Sequence, residues 1–131
     1  MWVTSRVTPP PGSARTTGGI FTSIRDQEFA CAFCVDMHSR DALAAGESSR
    51  RLFSVAAWHE SPFFTERERA ALALTDAVTR LGPDGVPDDV WNTVTKVWSD
   101  EEAANLIVAI ATINLWNRFA VTTRTPPPTT V

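Results

Sequence analysis

Apolar residues in this chain recur every three or four positions rather than alternating, so the pattern predicts helices and no strands. The clearest case is "TERERAALALTDAVTRLG". A capping box from Thr65 to Glu68 opens it, Ala70, Leu74, Ala77 and Leu81 fall on one face, and Gly82 closes it. A second capping box, Ser99 to Glu102, begins "SDEEAANLIVAIATINLWNRFAVTT", whose apolar residues run almost all the way round. That breadth predicts the buried centre of a bundle, and its acidic first turn suits the helix dipole. Pro87, Asp88 and Asp89 mark a further start before "VWNTVTKVW". A short helix is expected over Glu47–Trp58, and another from about residue 29 to 45, stopping at Gly46. The fold class is all-α, a helical bundle with no internal repeat.

Composition narrows this picture. A chain of 131 residues, 44% apolar and 21% charged, has the balance of one ordinary globular domain. A net charge of −3 offers no basic patch for nucleic acid. The longest apolar stretch is interrupted by Thr112 and Asn114 and is expected to be too short for a bilayer. No apolar run follows the charges near the N-terminus, so a cytoplasmic protein without membrane contact is expected. Residues 1–19, with Pro9, Pro10, Pro11, Gly12, Gly18 and Gly19, read as a disordered arm. The folded domain is expected over 20–124, followed by a Pro-rich tail at 125–131.

Candidate chemistry concentrates in "ACAFCVDMHSR", residues 30–40, which holds both cysteines and one of two histidines. On a helix, Cys31, Cys34 and His38 stand at i, i+3 and i+7, on one face. Helical residues three apart have Cα atoms roughly 5 Å from each other, inside the window of about 4.4 to 6.8 Å that a disulfide tolerates. A place in the first turn favours thiolate, and His38 can accept or return a proton. Activation alone is modest. Lowering a thiol pKa by about two units raises the thiolate fraction roughly 25-fold but costs about 8-fold in nucleophilicity. Proton donation to a leaving atom, typically worth about 10² to 10⁴, is the larger gift of a histidine there. The residues alone leave two rivals open: two small buried cysteines, or a zinc site with His59 as a fourth ligand. His59 otherwise reads as a surface histidine at a helix end, and Trp58, Trp91, Trp98 and Trp116 as core or interface anchors.

The motif C-x-x-C-x-x-x-H followed by "RDALAAGE" and "FFTERERAALAL", with "AIATINLWNRFAVTTR" near the end, resembles the alkylhydroperoxidase (AhpD-like) and carboxymuconolactone decarboxylase family over about residues 24–124. The resemblance implies a small all-helical protein assembling as a trimer or hexamer, with cysteines that reduce peroxides by way of a disulfide. The wholly apolar girth around Leu106–Trp116 independently favours a homo-oligomer. The decarboxylase branch generally lacks the CxxC pair. In the leading reading Cys34, the cysteine nearer to His38, attacks a peroxide or disulfide substrate, Cys31 resolves, His38 moves protons, and an external thiol reductant recycles the pair; the usual exposure of the first cysteine of a CxxC at a helix start argues for the reverse roles. No cofactor and no metal are implied. The chain departs from the family where redox-active relatives carry a glutamate about twelve residues before the first cysteine; Gly19 stands there. Glu28 is the nearby residue that could take over the proton relay, and slowed turnover is expected otherwise. The alternatives are a non-catalytic helical assembly or partner-binding protein retaining the pair, and a cofactor-free decarboxylase-type enzyme acting on small acids.

Overall fold

The computed structural model describes residues 31–130. The arm at 1–19, Gly19 and Glu28 lie outside them. Among the described residues there are five α-helices, one 3₁₀ turn and no strand beyond an isolated bridge between Gly82 and Gly85.

Helix α1 spans Ala32–Ala44, two or three residues shorter at its start than the pattern suggested, because Cys31 has extended backbone and acts as the N-cap. Its end is a Schellman motif: Gly46, at φ +94°, sends its N–H to the Leu43 carbonyl, and the Glu47 N–H reaches the Ala42 carbonyl. Helix α2, Ser49–Ser54, is capped by Ser48 and runs into the 3₁₀ turn Val55–Ala57, so the expected Glu47–Trp58 segment is a helix that tightens. Helix α3, Glu66–Thr79, carries the full Thr65/Glu68 capping box. It ends before Leu81, which is exposed rather than on the buried face. The chain leaves helical geometry at Arg80 and enters a turn through Gly82 and Pro83, closed by the Gly85 N–H on the Gly82 carbonyl. Helix α4, Asp88–Val97, has Pro87 at its cap, two aspartates in its first turn and Lys96 in its last. Helix α5, Asp100–Thr122, has the Ser99/Glu102 capping box. Residues 125–130 have no regular structure.

The core gathers Ala70, Ala71, Leu72 and Leu74 from α3, Val94 from α4, Ala103, Leu106 and Ile110 from α5, and Val55, Trp58 and Phe64 from the segment before α3. Thus α3, packed on both α4 and α5, is the central helix. This corrects the expectation for α5, which buries one face and leaves Val108, Leu115, Trp116, Phe119 and Val121 exposed. One clamp joins the three helices. Arg67 stacks on the Trp98 ring, donates to the Val97 carbonyl at 3.0 Å and to Glu102 at 2.6 Å, while the Trp98 indole N–H returns a bond to the Arg67 carbonyl.

The apolar stretch is also longer as a helix than the sequence suggested. Thr112 bonds to the Val108 carbonyl and Asn114 to Thr79, so neither interrupts α5, and its 23 residues measure roughly 34 Å. By length and composition alone α5 could cross a membrane. A core helix passes the same test, and α5 packs on α1, α3 and α4.

Candidate active site

Cys31 and Cys34 form a disulfide, with Cα atoms 5.3 Å apart. The N-cap geometry brings them together: Cys31 stands where the chain turns into α1, and the Cys34 backbone N–H donates to the Cys31 Sγ at 3.3 Å. The sulfur therefore occupies the place a serine or aspartate oxygen takes at other helix starts. Both cysteines lie at the positive end of the α1 dipole, and each is only 3% exposed.

His38 follows Cys34 by one turn of α1. Burial pushes its pKa below the ordinary value, and Asp41 opposes that shift without cancelling it. The imidazole is therefore neutral near pH 7, able to accept a thiol proton and later return it. On the outer side of the helix Asp36 and Arg40 form a 2.8 Å ion pair in solvent. The buried residues of α1 are Cys34 and Ala42, so the helix face turned inward is the one carrying Cys34.

His59 has different company. Its ring stacks on Trp58 with centroids 3.6 Å apart, and its Nε2 lies 3.9 Å from Asp76, which also accepts the Trp58 indole N–H at 3.0 Å. Its side chain is mostly exposed. Among the described residues no three His, Cys, Asp or Glu side chains gather as a metal site. Trp58 and Trp98 are packed anchors, whereas Trp91 and Trp116 are exposed.

Two polar features had no counterpart in the sequence reading. Arg51 bridges Glu47 and Glu68, both of them nearly buried. On α5, Asn114 exchanges hydrogen bonds with Thr79, and Asn117 is buried one turn further on. The available signal was two asparagines three apart in a helix that is otherwise apolar from residue 106 to 116 apart from Thr112.

A buried cysteine pair at the start of a helix, with a histidine one turn on, in an all-helical bundle, defines a class of small helical proteins built around a CxxC disulfide. Residues 30–77, from the cysteine helix through most of α3, match the carboxymuconolactone decarboxylase family. The chain is 36% identical over 107 residues to the uncharacterized protein YdfG of Bacillus subtilis strain 168, covering 82% of this chain and 73% of that one. It is 34% identical over 90 residues to the uncharacterized protein YnjA of Escherichia coli K12, covering 68% of this chain and 48%, about half, of that relative. A solved structure from Agrobacterium tumefaciens, the protein of unknown function ATU0492, provisionally assigned to antioxidant defence as AhpD, superposes with a TM-score of 0.85 at 39% identity, covering 89% of this chain and 80% of that one. The chain belongs to the carboxymuconolactone decarboxylase family and has the AhpD-like all-helical fold.

Proposed function

We propose that the protein is a thiol-dependent peroxidase whose cysteine pair cycles between dithiol and disulfide. The observation that carries this reading is the Cys31–Cys34 disulfide at the N-cap of α1, one turn from a half-buried histidine of lowered pKa. The likeness to ATU0492, a protein of unknown function provisionally assigned to antioxidant defence, supports it.

Neutral His38 takes the Cys34 thiol proton, and the thiolate attacks the terminal oxygen of a hydroperoxide. The S–O bond forms, the O–O bond breaks, and the departing alkoxide receives the proton from His38, leaving an alcohol, or water from hydrogen peroxide, and Cys34 sulfenic acid. Cys31 thiolate then attacks the Cys34 sulfur, hydroxide leaves and is protonated to water, and the disulfide closes. An external dithiol returns two electrons and two protons. The bond from the Cys34 N–H favours thiolate at Cys31, which suits Cys31 as resolving nucleophile and as leaving group when the reductant attacks Cys34. We place this cycle in the cytoplasm, where thiol reductants are maintained, and in a homo-oligomer, because the outer face of α5 is apolar.

Thiol counting tests the reading. After reduction, one equivalent of hydrogen peroxide should take the count from two to zero with no change at other residues. Two thiols surviving long exposure would defeat it.

A further inference from the structure

Asn117 is 1% exposed, and among the described residues neither its Oδ1 nor its Nδ2 has a hydrogen-bond partner. An amide in that condition is destabilising, since it gives up its water and receives nothing in return. Asn114, one turn earlier on the same face, is buried but satisfied: it exchanges bonds of 3.0 and 3.3 Å with Thr79.

The register of the helices explains the difference. Arg67–Glu102 and Thr79–Asn114 both join residues 35 apart, so α3 and α5 run parallel side by side, and α3 ends opposite Asn114. Asn117 lies about 4.5 Å further along α5, where α3 has nothing left to offer. Helix α4 meets α5 at the opposite end, through the Trp98–Ser99 connection. The other described helix in contact with α5 is α1, and its inward face carries Cys34, with His38 one turn on and Ala42 one turn beyond that.

We propose that Asn117 is the substrate-orienting residue of the cysteine site, holding the hydroperoxide between α5 and α1 while Cys34 attacks. This rests on the peroxidase reading and adds to it the group that receives the substrate. The chemistry is complementary. A hydroperoxide has one O–H donor on its terminal oxygen and acceptor lone pairs on both oxygens, and a primary amide presents one acceptor and two donors. Oδ1 accepts the terminal O–H, which fixes the oxygen that Cys34 reaches. An Nδ2 hydrogen points at the other oxygen, where negative charge grows as the O–O bond breaks, until His38 supplies the proton. The unsatisfied amide is thus the binding group that the hydroperoxide would satisfy.

The test is Asn117→Leu, close in volume and without polar atoms. Replacing an unsatisfied amide by a hydrocarbon should hold or raise the melting temperature. In the same variant, the second-order rate of Cys34 oxidation by hydrogen peroxide, measured in a single turnover on the reduced protein, should fall by roughly 10²-fold, the scale of a lost oxyanion donor. Iodoacetamide alkylation needs the thiolate but no bound peroxide, and should be unchanged. Peroxide oxidation at the wild-type rate would overturn the inference while leaving the peroxidase reading intact. So would alkylation that falls in step with oxidation, or a variant that melts far lower or fails to fold, since either would make Asn117 a structural residue. A wild-type protein inert to peroxide would remove the function and this inference together.

Discussion

The backbone N–H of Cys34 donates to the sulfur of Cys31, so one cysteine caps the helix that carries the other. A serine hydroxyl at position 31 would accept the same bond, whereas a methyl group would not. Cys31→Ser should therefore melt close to the wild type, and Cys31→Ala should lose about 1 kcal/mol in urea denaturation of the reduced protein. With its resolving partner gone, Cys31→Ser should accumulate a sulfenic acid on Cys34 that a trapping reagent labels stoichiometrically. If the label appears instead on Cys31 in Cys34→Ser and not in the reverse variant, the roles of the two cysteines are exchanged.

His38 sets a pH dependence with a definite sign. Its folded pKa lies below the ordinary value because burial disfavours the imidazolium more than Asp41 favours it. Over the window between the depressed folded pKa and the unfolded value of about 6.5, the unfolded chain binds more protons, so stability rises with pH through that window and is flat above it. Urea midpoints taken through this range should show the slope in the wild type and lose it in His38→Gln. Peroxide reactivity should fall over the same range as His38 becomes protonated and stops accepting the thiol proton. His38→Ala should slow both the first oxidation and subsequent cycling.

The parts of the molecule that were legible in the sequence are those set by local chemistry. Thr65 with Glu68 and Ser99 with Glu102 each signal a helix start within four residues, and Gly46 marks a stop because only a residue tolerant of positive φ ends α1 that way. The spacing of Cys31, Cys34 and His38 was sufficient to nominate the site, because one helix carries it. What was illegible depends on partners far along the chain. Arg51 meets Glu68 seventeen residues away, and Asn114 meets Thr79 thirty-five residues away, so neither pairing leaves a periodic trace. The burial of α5 is illegible for the same reason: an all-round apolar helix reads identically whether its second face meets its own domain or another surface.

Arg51 offers a prediction about stability alone. Its Nη2 meets Glu68 at 2.6 Å, its Nη1 donates to the Phe63 carbonyl at 2.8 Å, and its Nε makes a 3.0 Å ion pair with Glu47 that is not aligned as a hydrogen bond. The Glu47 side chain is 4% exposed and that of Glu68 12%, so removing the guanidinium strands two carboxylates in a poorly solvated place. Arg51→Met should cost about 3–5 kcal/mol in urea denaturation. Arg51→Lys should recover little, because an ammonium cannot reach three acceptors in the guanidinium plane. Burial by itself would raise the Glu68 pKa, but bonds from Arg51 and the Thr65 backbone outweigh it and hold it below the ordinary carboxylate value. That contribution is present above about pH 4.5 and is lost as pH falls through the depressed folded pKa, a lower window than that of His38. In Arg51→Met the loss should shrink.

The outer face of α5 predicts self-association. Val108, Leu115, Trp116 and Phe119 are each about half exposed, at 53%, 53%, 49% and 57%, and recur with helical spacing on one side. No charged residue occurs between Glu102 and Arg118 to keep that side solvated. The Trp116 and Phe119 rings lie 6.1 Å apart at an angle of 48°, forming a continuous aromatic ridge. Burying the exposed half of each such side chain is worth about 0.7–1.5 kcal/mol, and a second copy of the same face supplies a partner of matching character. Sedimentation at micromolar concentration should give a multiple of the 14.4 kDa protomer, three or six on the family resemblance. Trp116→Glu places a charge in the middle of the ridge. A penalty of about 3 kcal/mol corresponds to roughly a hundredfold weaker association, enough to shift the mass toward the protomer at the same concentration. A wild-type mass of 14.4 kDa would refute the association. Peroxide oxidation of the dissociated Trp116→Glu variant then separates two uses of the assembly: a retained single-turnover rate means each protomer holds a complete cysteine site, and a lost rate means the neighbouring copy helps to close it.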